Sequence, residues 1–323
     1  MFTIETRQIG PIEGTETLTD YILSNPDTGE WATVLPGFGG ILRQLVLRKG
    51  DTRYKVVDSP ASAQALLADE TYASALMFPF ASRVRHGIYQ FEGNDYVLPL
   101  NEVMRDNALH GFVHQKPFRV IHQEANLHHA SLTIQFNYTG DVPGYPFPFS
   151  LVVTYALSAQ GLGVSFKASN TGSTRCPAAF GWHPYFTLNN APVDELELTL
   201  PVRAIVELDQ HMIPTGKRPV PADRLGTFAM QNVQLDTPFE AQFSDENGKK
   251  QAVTTLRWPE ENVALELTQS ESLPYIVVYT PLRRDSIAIE PQTANANAFN
   301  NGEGLTVLNP GDELQGSIDV RLI

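Results

Sequence analysis

The chain has 323 residues, 42% of them hydrophobic and 18% charged, with a net charge of −13. That is enough apolar material for a large core, and the acidic balance argues against nucleic acid and anionic membranes as partners. One cysteine, Cys176, excludes an intrachain disulfide, and no run approaches the ~18 consecutive apolar residues of a membrane span.

The N-terminal "MFTIETRQIG" has neither a basic region nor an apolar core, so no secretory leader is expected and the default compartment is the cytoplasm. The first helix signal is "SPASAQALLADE": Ser59 is placed as the cap, Pro60 at the first helical position, and Ala and Leu follow. In "FPFASRVRHG", Arg83 and Arg85 fall on one face of a strand, and "RHGIYQFEGNDY" reads as a hairpin. "NALHGFVH" sets His110 before Gly111, where a glycine permits a positive φ or a close backbone approach.

Period-two alternation then dominates. "SLTIQFNYTG", "FSLVVTYALS", "LGVSFKASN", "ELELTLPV", "VALELTQS" and "YIVVYTP" are rich in β-branched and aromatic residues and are bounded by turn formers. "ENGKK", with Asn247-Gly248, predicts a two-residue hairpin turn. The 23 Gly and 23 Pro are scattered, which signals many turns rather than one linker. The expectation is an all-β chain: one large antiparallel β-sandwich with one or two short helices, spanning residues 1–323 as a single domain.

Polar residues interrupt this pattern at a few points. His183 in "AFGWHPYFTL" is surrounded by Phe180, Trp182, Tyr185 and Phe186, and Pro184 biases it to extended backbone. Asp236 in "VQLDTPF" is a turn signal. Glu290 closes the apolar "SIAIE" and is followed at once by Pro291. A carboxylate there is either at the mouth of a strand or buried and paired, Arg283 and Arg284 being the nearest cations in sequence. His110 and Asp236 alone read as ordinary turn residues, and His183 alone is equally a satisfied core histidine.

The chain lacks G-x-G-x-x-G after a strand, G-x-x-x-x-G-K-[ST] and H-E-x-x-H, so no nucleotide, dinucleotide or metal cofactor is called for. His110 and His183 have no third ligand at metal-binding spacing. An acid, two imidazoles, an arginine and aromatics together suit general acid–base work on a sugar or polyol.

In "NALHGF", "GWHPYFTL", "LDTPF", "LPYIVVYT", "IAIEPQTANANAFN" and "LNPGDEL" the chain resembles the aldose 1-epimerase (mutarotase) family, to which galactose mutarotase belongs. The resemblance implies a supersandwich with an open groove for a monosaccharide. It places Glu290 as general base, His183 as general acid, and Arg83, His110 and Asp236 as the residues that hold the sugar. It implies neither metal nor cofactor, and it says nothing of oligomeric state. The reading requires the carboxyl of Glu290 and the imidazole of His183 to come together across one cleft, spaced to fit the anomeric end of a sugar between them. The chain departs from the family pattern at Ser82, Phe112 and Val277. A hexose-6-phosphate mutarotase, with Arg83, Arg85, Lys116 and Arg119 as candidate phosphate ligands, and a carbohydrate-binding protein without turnover are the alternative readings.

Overall fold

The computed structural model describes residues 1–11, 17–60, 62–246 and 248–323. Strands prevail, and the sheets are antiparallel throughout, as the period-two runs predict. Strands Thr3–Pro11, Thr17–Asn25, Glu30–Leu35, Ile41–Lys49 and Thr52–Lys55 form a five-stranded meander in sequence order. Residues 119–170 add Arg119–Ala125, His129–Tyr138, Phe149–Ser158 and Gly161–Asn170 side by side at one end of a ten-stranded sheet. The C-terminal strand Glu313–Leu322 inserts between Gly161–Asn170 and Val263–Ser270, so the last residues of the chain close the middle of that sheet.

A nine-stranded sheet makes the other broad layer. It contains, as consecutive neighbours, Asp236–Ala241, Tyr275–Tyr279, Ile287–Gln292 and Gly181–His183. Between the layers lies one apolar cluster that reaches from Phe2 to Val320 and takes residues from every large sheet, among them Leu42, Ile134, Trp182 and Ile289. The architecture is the supersandwich: broad antiparallel sheets packed face to face over a shared core.

Two expectations are corrected by the structure. "ELELTLPV" is not one strand, because Glu197–Thr199 pairs with Lys249–Trp258 in the ten-stranded sheet, whereas Val202–Leu208 pairs in the nine-stranded one. The chain changes layers at Leu200-Pro201, where proline has no N–H to continue a ladder. The helix of "SPASAQALLADE" is short, Ala63–Leu67, and Ser62 caps it, its Oγ accepting from Ala65 N at 3.1 Å. Ser59 and Pro60 precede it, because Arg43 takes the Pro60 carbonyl at 3.3 Å and ties that segment to the first sheet. Asn247 of the predicted turn lies outside the described residues; the strands Ser244–Glu246 and Lys249–Trp258 beside it pair antiparallel.

One buried ion pair anchors the first sheet. Arg43 Nη1 donates to both Asp20 oxygens, at 2.9 and 2.7 Å, and the two side chains are 2% and 0% exposed. A charge so enclosed is costly once its partner is gone. Asp20→Ala is therefore expected to destabilise the protein by about 3–5 kcal/mol, read from the midpoint of urea unfolding. A loss below about 1 kcal/mol, the range of exposed pairs, would contradict this.

Candidate active site

The strand Ile287–Gln292 is buried from end to end, and alternation gives its two faces different work. Ile287 and Ile289 point into the main apolar cluster. The other face carries Ala288, Glu290 and Gln292. Its Tyr275–Tyr279 neighbour pairs Val277 opposite Glu290, and on the other side Gly181 pairs with Gln292 and Tyr185 with Ala288. Pro184 breaks the ladder between those two pairings, and His183 sits at the break, beside Glu290.

The carboxyl and the imidazole are in contact: His183 Nε2 is 3.3 Å from Glu290 Oε1. They stand side by side on one wall instead of facing each other across a gap. Both residues are buried, and Glu290 also accepts from Gln292 Nε2 at 3.1 Å. Arg283 and Arg284 do not reach it: Arg283 pairs with Asp58 and Asp285, and Arg284 with Asp194.

Burial sets the charge of the pair. Loss of water pushes Glu290 up to about 8, reinforced by the negative charge of Asp236. It pushes His183 down to about 4. Desolvation outweighs the pull of Asp69, which favours the charged imidazole. The two groups together therefore keep one proton through neutral pH.

His110 arrives from a separate two-stranded sheet, in which Asn107–Leu109 pairs with Arg83–Arg85. His110 and Gly111 both take positive φ, 59° and 67°, which swings the imidazole over His183 at 5.3 Å between ring centroids. Gly111 is required there: a Cβ would lie 2.1 Å from the Phe78 carbonyl oxygen. Burial, reinforced by the neighbouring His183, Arg83 and His114, holds His110 well below its ordinary pKa, so it is neutral.

Arg83 is not the surface residue a hairpin flank suggests. Its Nε and Nη2 donate to Glu102 at 2.8 and 2.9 Å. Glu102 also accepts from Arg105 and from Asn107 Nδ2, and these contacts together lower its pKa although burial opposes them. Asp236 opens the strand Asp236–Ala241 opposite Tyr279. Much of the residue is exposed, yet its carboxyl faces the pocket, and desolvation there raises its pKa.

All five residues singled out in the sequence line one open pocket of about 370 Å³, together with Tyr72, Tyr185, Val277 and Tyr279. Arg85, Lys116 and Arg119 are not part of its lining. Arg85 instead lies 3.7 Å from Asp209. Sequence reading missed Glu102 and Tyr72 altogether, and Tyr185 was noticed only as an aromatic neighbour. Tyr185 stacks on His183 at 5.2 Å, and Tyr72 meets His110 edge-on at 4.8 Å. Among the described residues no group of three His, Cys, Asp or Glu side chains is arranged to hold a metal ion.

The aldose 1-epimerase family profile matches residues 22–321, and the chain belongs to that family. As a member it is an isomerase, and its ligands are sugars. Among its relatives is the uncharacterized Escherichia coli protein YihR, 29% identical over 241 residues, which is 73% of this chain and 74% of that protein. Galactose mutarotase of Rattus norvegicus is 27% identical over 159 residues, 48% of this chain and 45% of that enzyme. The fold is shared with a galactose mutarotase-like protein of Clostridium acetobutylicum, at a TM-score of 0.87 and 18% identity, covering 100% of this chain and 98% of that one. It is also shared with galactose 1-epimerase of Lactobacillus acidophilus, at a TM-score of 0.82 and 19% identity over 99% of both chains.

Proposed function

We propose that this isomerase interconverts the α and β anomers of an uncharged aldose by opening and reclosing the ring, with Glu290 and His183 as its acid–base pair. The observation that carries this reading is their 3.3 Å contact on the wall of a sugar-sized pocket. The anomeric hydroxyl and the ring oxygen of a pyranose are borne by the same carbon. Groups that serve both oxygens at once must therefore be neighbours.

In the ring-opening step, Glu290 in its ionised form takes the proton of the anomeric hydroxyl. His183 in its protonated form gives a proton to the ring oxygen, and the C1–O5 bond breaks. The product is the open aldehyde, with Glu290 protonated and His183 neutral. Rotation about C1–C2 exposes the other carbonyl face, and the reverse transfers close the other anomer. Burial favours the uncharged form of each group, so it favours the state reached on ring opening. The ring-closed complex begins from the other placement of the same proton, one transfer away across the 3.3 Å contact. Arg83, fixed by Glu102, the neutral His110 and Asp236 are the groups that position the sugar hydroxyls.

The site draws on residues from Glu70 to Glu290 and rests on the cluster that runs from Phe2 to Val320, which supports a chain that works as one domain. Among the described residues that line the pocket, the sugar-phosphate reading finds no unpaired cation. Arg83 and Arg105 are both committed to Glu102, and Arg283 to Asp58 and Asp285. Val277, an apolar side chain on the strand next to Glu290, gives no hydrogen bond to a hydroxyl, so recognition falls to the polar groups on the opposite side.

Two-dimensional exchange NMR on glucose and galactose, corrected for the spontaneous rate, tests the activity. The same assay across pH tests the pair. Below the lowered pKa of His183, near 4, both groups are protonated and no base remains. Above the raised pKa of Glu290, near 8, neither is protonated and no acid remains. The expected kcat/KM is flat from about pH 5 to about pH 7 and falls tenfold per unit beyond about 8. A rate still climbing above pH 9 would refute the shared-proton assignment.

A further inference from the structure

Glu290 and Gln292 lie two residues apart on one face of the strand Ile287–Gln292, 2% and 1% exposed. Glu290 lines the pocket, whereas Gln292 lies outside the lining, paired with Gly181 on one flanking strand and Tyr275 on the other. Gly181 leaves it room: a Cβ there would come within 3.2 Å of Gln292 Cγ and 2.5 Å of Met77 Cε. Packed in this way, the amide meets the carboxyl, and Gln292 Nε2 donates to Glu290 Oε2 at 3.1 Å. The side chain of Val277, opposite Glu290, has no donor, and among the described residues no other group donates to Oε2.

The two carboxyl oxygens are thereby unequal. An amide N–H needs an acceptor, so Oε2 carries no proton when the acid is neutral. The proton belongs to Oε1, which lies 3.3 Å from His183 Nε2, the position from which it passes to the imidazole. The same hydrogen bond favours the carboxylate and works against burial. Asp236, on the strand beyond Tyr275–Tyr279, opposes ionisation, and Arg83, from the two-stranded sheet, favours it. Burial keeps His183 neutral and the Tyr185 hydroxyl protonated beside the carboxyl.

We infer that Gln292 is a positioning residue: by donating to Oε2 it confines the carboxyl proton to Oε1, the oxygen that meets His183. This role rests on the acid–base reading of the pair. Gln292 touches no substrate, and it sets which oxygen trades protons with the imidazole. Without the amide, the neutral acid carries its proton on either oxygen, and transfer to His183 is lost for the misplaced fraction.

Gln292→Met keeps the reach of the side chain and removes the donor. Exchange NMR should show kcat about 10- to 100-fold lower, with KM within about threefold of wild type. The alkaline limb, near 8 in the wild type, should move up by about one pH unit, because the carboxylate has lost a hydrogen bond that favours it. Infrared difference spectra against Glu290→Gln isolate the protonated carboxyl and read the same point without turnover. Its C=O stretch belongs to Oε2, so loss of the amide should shift the band to higher wavenumber, and the titration midpoint should rise with the limb. Gln292→Asn, which draws the amide back by one methylene, should behave alike, and it carries the test if the methionine variant does not fold. Wild-type kcat in a folded variant, or a loss of kcat with limb and band both in place, would mark Gln292 as packing alone and overturn the role. If Glu290→Gln exchanges anomers at the wild-type rate, the acid–base reading has failed, and the band position and midpoint still decide where the proton sits.

Discussion

Replacing Glu290 by glutamine is expected to lower anomer exchange by about 100- to 10,000-fold while sugar affinity stays within about threefold. The amide keeps the shape of the carboxyl and its contacts with His183 and Gln292, but it takes no proton from a hydroxyl. Stability should not suffer. Glu290 is buried against a neutral imidazole, and the charge of Arg83 in the same pocket offsets only part of that burial, so an uncharged replacement removes a desolvation burden without adding one. The melting temperature is therefore expected to hold or rise. Exchange NMR, calorimetric titration and thermal melts on the same preparation separate the three effects. Exchange within tenfold of wild type, with affinity intact, would take Glu290 out of the chemistry.

The position of Glu290 also shows what alternation makes legible. "SIAIEPQ" reads as a strand because Ile287 and Ile289 recur with period two, and the structure puts both in the core. The same period sends Glu290 and Gln292 to the other face, so a carboxylate in an apolar run marks the place where that face stops being core. The other strand runs were legible for the same reason, and "FSLVVTYALS" became Phe149–Ser158. Periodicity cannot say which sheet a strand joins. "ELELTLPV" alternates throughout and still divides between two layers, because pairing partners far along the chain decide membership. The helix cap failed on a similar point: Ser59 has the right residue type, but the contact of Arg43 with Pro60, a tertiary event, delays the helix to Ser62.

Legibility of the pocket divides along the same line. Glu290 and His183 stood out because each breaks an apolar context next to a proline, and local context carries that signal. Glu102 gave none. It lies in an unremarkable "PLNEV", and only its contact with Arg83, 19 residues away in sequence, ties it to the pocket. Tyr72 is likewise ordinary in sequence. Its place edge-on to His110 is fixed by Asn101, which bonds both its hydroxyl and the Leu109 backbone. A reading of residue types finds groups that do chemistry more readily than the groups that hold them, because only the former conflict with their local surroundings.

His183→Asn is expected to cost about as much as Glu290→Gln, again about 100- to 10,000-fold, because the base then has no partner acid for the ring oxygen. The more decisive result is the double variant. If the two side chains moved protons independently, their losses would multiply. In the mechanism proposed from the shared proton, either group without the other is stranded: a carboxylate can take the hydroxyl proton, but the C1–O5 bond does not leave without a proton on its oxygen. The double variant should then exchange anomers within about tenfold of the slower single variant, as residues that act as one unit do. The pH profiles add a second reading of the same point. Without His183 the remaining base must ionise, so the residual rate of His183→Asn should climb as pH rises through the raised pKa of Glu290; without Glu290 the remaining acid must stay protonated, so the residual rate of Glu290→Gln should fall as pH rises through the lowered pKa of His183. Multiplicative losses, with both limbs retained in each single variant, would mean that the contact at 3.3 Å is structural and that the protons travel elsewhere.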